Sequence, residues 1–170
     1  HSVMIRGLVI CPAEARDRQE IFALEAAAFG QDGEAKLVEA LVADGDVVLE
    51  LVATHETEIV GHIVFSRLRV ETAHGGVNAV ALAPLAVQPK RQKTKVGTAL
   101  IENGHHLLRE AGETLSVVLG DPAYYGRFGY THVRAAAFES DYQCDALQAL
   151  AWGDAPTSGR LVYASAFSGL

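Results

Sequence analysis

Four cations, Lys90, Arg91, Lys93 and Lys95, fall within the seven residues from Pro89 to Lys95 of a chain whose formal net charge is −7. So tight a basic cluster in an acidic chain is a local device for holding something anionic. Two neighbouring features say how it could work. Upstream, Pro84 interrupts the apolar run Ala79 to Val87. Proline has no N–H and is confined to bulges, edges or places where a sheet opens, so a splayed ladder would leave the N–H groups of Leu85, Ala86 and Val87 without strand partners. A ligand carrying amide groups could add there like an extra strand. Downstream, a helix is predicted to begin at Val96 and Gly97. Its dipole and the loop N–H groups make an anion site that Lys and Arg reinforce. An amide-bearing arm ending in a pyrophosphate describes coenzyme A.

The elements that must position this stretch can be read from periodicity. "MIRGLVI" predicts a first strand, and Glu14 to Phe29 a helix on Ile21, Leu24 and Ala28, ended by Gly30. Asp32 caps a second helix with the face Leu37, Val38, Leu41 and Val42, closed by Gly45. "VVLELVAT" and "IVGHIVFSRLRV" predict two antiparallel strands joined across "HETE". "ETAHGG" reads as a polar loop before the strand Ala79 to Val87. The helix Val96 to Ala111 should turn Val96, Leu100, Leu107 and Ala111 inward, with Gly112 past its end. "LSVVLG" is a buried strand. Asp121-Pro122 starts a short helix over Pro122 to Phe128, and a strand is expected from Tyr130 to Val133. "ALQALAW" is ambiguous between a short helix and a turn, and "GRLVYASAF" is expected as a last strand. The order implies a mixed α/β sheet, antiparallel in its first half, with one helical crossover making Ala79–Val87 and Leu115–Gly120 parallel.

Composition narrows the function classes. At 170 residues, 49% hydrophobic and 21% charged, a globular domain with a substantial core is expected. Cys11 and Cys144 form neither a disulfide framework nor a zinc motif, and the seven histidines, including the pair His105-His106, have no ligand spacing. No metal is expected. The first residues lack a basic-then-apolar signal pattern, and Ala79 to Val87 is too short to span a bilayer. A cytoplasmic protein that binds neither membrane nor nucleic acid is the expectation.

"PLAVQPKRQKTKVGTALI" resembles the acetyl-CoA-binding segment of the GNAT superfamily of N-acetyltransferases, whose loop follows Q/R-x-x-G-x-G/A. Here the loop is Gln92-Lys93-Thr94-Lys95-Val96-Gly97, followed by Thr98. "VVLGDPAYYGRFGY", Val117 to Tyr130, resembles the later segment of a bacterial GNAT branch with the pattern LG-x-P-x-YY-x-RFGF. The resemblance implies one N-acetyltransferase domain over residues 1–170 and a GNAT-type sheet with a splayed parallel pair around the CoA site. It also implies acetyl transfer from acetyl-CoA to a primary amine of a small molecule or peptide. Leu85, Ala86, Val87 and Gln92 to Thr98 would bind the cosubstrate, and Tyr125 would be the general acid, its ring packed on Phe128, with Tyr124 a packing aromatic. The resemblance also implies that the connection Phe29 to Gly33 would help shape the acceptor pocket. Homodimerisation is left open.

Lys95 stands where the family has the first loop glycine. Its charge offsets the added bulk, or it marks a degenerate loop in a module that binds or senses acyl-CoA without catalysis. A third alternative is an interaction or nucleic-acid domain using the basic loop. The general base is not legible. His62 and Glu71 are candidates, water is another, and a satisfied structural histidine is the plainer reading of His62.

Overall fold

The computed structural model describes residues 7–169. Alternating and β-branched runs lay down the first half of the sheet: β1 (Leu8–Pro12), β2 (Val47–His55), β3 (Glu58–Thr72) and β4 (Gly75–Val87), each antiparallel to the next. Of "MIRGLVI", Met4 to Arg6 lie outside the described residues. The β2–β3 hairpin turns at Glu56 and Thr57, whose φ of 52° and 70° are the pair of left-handed residues that a two-residue turn needs to match strand twist. After the crossover helix α3 (Val96–Glu110), β5 (Leu115–Leu119) returns parallel to β4, from Val80 opposite Ser116 to Leu82 opposite Val118. The sheet is thus mixed and open, with the expected parallel pair inside it, between β3 and the strand Leu147–Ala151.

Helices α1 (Arg18–Phe29) and α2 (Gly33–Ala43) cover one face, where Ile21, Leu24, Leu37, Val38 and Leu41 pack on Val64 and Ala86. α3 covers the other, with Val96, Leu100, Ile101 and Leu108 against Phe65 and Leu82. Two glycines allow this close approach. A Cβ on Gly61 would lie 2.6 Å from Val96, and one on Gly104 would lie 2.6 Å from Phe65.

Several expectations are corrected. The "ETAHGG" loop shrinks to Ala73 and His74, because Thr72 pairs with Gly75 and its hydroxyl closes the turn by donating to the Gly75 carbonyl at 2.9 Å. Leu107 is 42% exposed. The inward stripe of α3 passes instead through Ile101, Gly104, His105 and Leu108. After the short helix α4 (Pro122–Tyr125) and a 3-10 turn over Gly126–Phe128, no strand runs from Tyr130 to Val133. Thr131 makes a single bridge to Ala149 and then caps α5 (His132–Ala135), its hydroxyl accepting from Arg134 N. This local side-chain bond outcompetes the β preference of the segment. β6 (Phe138–Glu139) follows, and "ALQALAW" forms neither helix nor turn but β7 (Leu147–Ala151), antiparallel to β5. The last strand is only β8 (Gly159–Val162), which pairs with β3 and β6, and Ser165–Gly169 is a 3-10 turn.

Candidate active site

β4 and β5 part company at Pro84. The parallel ladder ends at Leu82 and Val118, while the β3 ladder shifts register so that Ala83 and Pro84 pass between the pairs Leu82–Phe65 and Leu85–Ile63. β4 then runs on against β3 alone. Beyond its end, Gln88 N donates to Val60 O at 2.9 Å, and bonding alternates along an antiparallel ladder. Ala86 therefore turns its N–H towards β3. Leu85 and Val87 turn theirs to the open side, as does the Val87 carbonyl, which accepts from Gln92 Nε2 at 3.2 Å. Of the three N–H groups expected to be free, two are.

A cavity of about 440 Å³ opens from this edge. Leu85, Val87, Gln92 to Lys95, Gly97 and Thr98 line it, together with Arg91. Val96 is fully buried beneath, anchoring the helix in the core. Gly97 and Thr98 open α3, so their N–H groups have no intrahelical acceptor. Lys93 is held at φ 67°, in the left-handed region, and Thr94 caps back onto the Arg91 carbonyl. Lys95 sits at φ −92°, a conformation open to any residue, so its backbone does not demand the glycine of the family pattern. The cavity holds one cation that sequence reasoning missed, Arg127, whose guanidinium stacks 4.9 Å from the Tyr124 ring centroid. Its only signal was the RFG of the later motif. Lys90 does not line the cavity, and Arg91 also donates to His55 Nδ1 at 3.1 Å.

A second cavity of about 400 Å³ lies on the other side of Leu85, which lines both. Its walls come from β4 and β5, from Phe29 and Glu34 at the α1–α2 connection, and from Tyr142, Tyr163 and Phe167 in the C-terminal segment. Tyr125 faces it. Gly120 makes room for that ring, since a Cβ there would lie 2.6 Å from Tyr125 Cε2. Asp121 accepts from Ala123 N at 2.9 Å and fixes the start of α4. Burial, with Tyr124 alongside, pushes the Tyr125 phenol up to about 12, so the hydroxyl keeps its proton. The ring packs edge-on against Tyr124 and Tyr130, not against Phe128, which instead meets Tyr124.

Neither expected base lines either cavity. Glu71 sits at the far end of β3 and pairs with Arg69 at 3.3 Å. His62 is fully buried, its Nδ1 2.6 Å from Glu25 and its Nε2 2.6 Å from Glu50, which also receives Arg18 at 2.6 Å. Burial opposes the imidazolium, but the two carboxylates outweigh it and raise the His62 pKa. Burial raises Glu25, whereas bonds from His62 and Arg18 overcome burial at Glu50 and lower it. This is a structural ion chain. His105 is likewise structural, bonded to the Tyr130 hydroxyl at 2.8 Å and pushed down to about 4 by burial and Arg109.

Among the described residues, no helix is long and apolar enough to cross a membrane, and no group of three or more His, Cys, Asp or Glu is placed to hold a metal ion.

Comparison with known proteins agrees with this geometry. Residues 10–133 match the acetyltransferase (GNAT) domain family. The chain is 40% identical over 115 residues to the uncharacterized N-acetyltransferase YhbS of Escherichia coli, covering 67% of this chain and 68% of that protein. The structure of E. coli YhbS in complex with CoA superposes with a TM-score of 0.88 at 30% identity, over 99% of this chain and 96% of that one. A GNAT family acetyltransferase from Brucella melitensis in complex with acetyl-CoA gives a TM-score of 0.80 at 32% identity, over 94% of this chain and 97% of that one. With the parted β4–β5 pair, the basic loop and the helix start all in their expected relation, the chain belongs to the GNAT family of acetyltransferases.

Proposed function

We propose that this protein is an N-acetyltransferase moving the acetyl group of acetyl-CoA to a primary amine, with residues 1–170 acting as one catalytic domain in the cytoplasm. The observation that carries the reading is that two cavities meet at Leu85, one basic and one apolar, on a strand edge with free N–H groups. The pantetheine amides would bond along Leu85 to Val87, with Ala86 contributing its position in the strand. The pyrophosphate would lie on the loop Gln92 to Thr98, facing the N–H groups of Gly97 and Thr98 and the charges of Lys93, Lys95 and Arg127.

In the transfer, the amine nitrogen bonds to the thioester carbon, the C–S bond breaks, and the proton lost by the amine is balanced by one gained by the thiolate. A β4 N–H is preorganised for the oxygen that gains charge. The Tyr125 hydroxyl, always protonated in the working range, supplies the leaving sulfur with its proton. The free base form of the amine is needed for attack. With His62 and Glu71 away from the cavities, water or a group lining the apolar cavity takes its proton.

The test is direct. Acetyl-CoA at millimolar concentration should raise Tm, because it binds only the folded state. Free CoA should then be released in proportion to added amine. Binding without amine-dependent release would make the protein a CoA-binding module, and the absence of both the Tm rise and the CoA release would overturn the reading.

A further inference from the structure

The apolar cavity has a charge pattern that the basic one lacks. Of the residues that line it, Glu34 alone is an Asp, Glu, Lys, Arg or His. Its Oε1 accepts from Gln31 Nε2 at 3.3 Å, and its Oε2 has no partner among the described residues. The remaining lining is aliphatic and aromatic, with only the hydroxyls of Tyr125, Tyr142 and Tyr163 as other side-chain polar groups. Tyr163 is wedged edge-on between Tyr142 and Phe167, at centroid distances of 5.2 and 5.5 Å. Burial pushes its phenol up to about 12, so it too stays neutral. Phe29, Leu119 and Tyr142 are 42%, 49% and 37% exposed, and all three line this cavity. Exposed large apolar side chains converging on one opening mark a surface made to be covered.

We infer that the acceptor is a small hydrophobic amine carrying a single positive charge and no anionic group, an arylalkylamine in its simplest form, with its ammonium held by Glu34. The inference rests on the acyl-transfer reading for the role of this cavity. Glu34 is partly exposed, so its carboxylate selects for a cation where the acceptor enters, and the aromatic walls behind it add cation–π and packing contributions. A carboxylate or phosphate on the same acceptor would enter an apolar space beside Glu34 with no cation to pair with, because Arg91, Lys93, Lys95 and Arg127 all line the other cavity. Free amino acids and phosphorylated amines are thereby rejected. Highly hydroxylated amino-sugars would leave most of their hydroxyls unpaired against aliphatic walls. Glu34 binds the ammonium in the encounter.

The probes are 2-phenylethylamine and L-phenylalanine, which differ by one carboxylate. Calorimetric binding of each to the full chain saturated with CoA needs no turnover and so tests the cavity by itself. 2-Phenylethylamine should bind at least about tenfold more tightly than phenylalanine. Glu34→Gln should weaken 2-phenylethylamine about 10- to 100-fold, the usual loss of a charged hydrogen-bond partner, with CoA affinity and Tm unchanged. Equal binding of the two probes by the parent, or an unaltered affinity in Glu34→Gln, would overturn the inference. Selective binding with no transfer from acetyl-CoA would uphold the cavity's specificity and remove the catalytic reading instead.

Discussion

Tyr124 and Tyr125 are consecutive residues whose rings stand at 89° with centroids 5.0 Å apart, and they line different cavities. Tyr124 reaches the start of α3, where a Cβ on Gly97 would lie 2.5 Å from its hydroxyl oxygen. Tyr125 faces the apolar cavity. A capped helical turn beginning at Asp121 aims one aromatic at each half of the site.

Removal of the Tyr125 hydroxyl therefore separates chemistry from packing. Tyr125→Phe should lower turnover by about 10² to 10⁴, the usual loss of a positioned proton donor, with acetyl-CoA affinity and Tm close to the parent. Tyr124→Phe should cost much less rate. The check is kcat and Kd on both variants with one amine. Turnover of Tyr125→Phe within about twofold of the parent would assign the ring to packing alone.

Gly120 should be as sensitive as the tyrosine it accommodates. A Cβ there meets the side of the Tyr125 ring, which cannot swing away as a flexible chain end could. Gly120→Ala should displace the phenol and reduce kcat by up to about 10²-fold. Overpacking should also cost about 1–3 kcal/mol, measured by denaturant unfolding. A variant with parent-like kcat would show that the ring position is not critical.

Lys95 should act through charge. Its φ of −92° removes the conformational argument for glycine, so Lys95→Gly should not tighten CoA binding. Lys95→Ala should weaken it about two- to fivefold, the scale of an exposed ion pair, and the loss should shrink at high salt. Tighter binding by Lys95→Gly would instead identify the lysine as an obstruction.

His62 should make stability depend on pH. Its folded pKa is raised above the unfolded value of 6.5, so its contribution is complete below that value and is lost as pH rises through the folded pKa. Tm should fall as pH rises above 6.5 through the folded pKa, and His62→Gln, which has no imidazole to titrate, should remove that fall. Breaking a buried ion chain at its centre should cost about 3–5 kcal/mol at neutral pH. A parent whose Tm is flat over the interval would contradict the protonated assignment.

Much of the site was legible because its determinants are local. Pro84, the cations and the helix start lie within one short stretch and act through backbone N–H groups, which depend on chain geometry more than on distant partners. The later motif was legible for the same reason, Asp121 and Pro122 being a cap and a first-turn proline side by side. Ala86 was harder, because strand alternation assigns its N–H to β3 only once the register is known. β7 was missed because "ALQALAW" is apolar without a clear period, and pairing with β5 decides its conformation.

From the sequence alone came the element order as far as α4, the parallel crossover, the basic loop and the tyrosine pair, since periodicity, caps and turn chemistry act over a few residues. The partners of His62 and, apart from Phe29, the walls of the apolar cavity came only with the tertiary structure. Glu25 is 37 residues from His62 in the chain, and Glu34 is more than 100 from Tyr142, Tyr163 and Phe167. No local pattern couples such positions. They meet because α1 and α2 bury their apolar stripes on one face of the sheet and the C-terminal segment closes against them, and burial of those stripes is what sets where Glu25 and Glu34 come to rest.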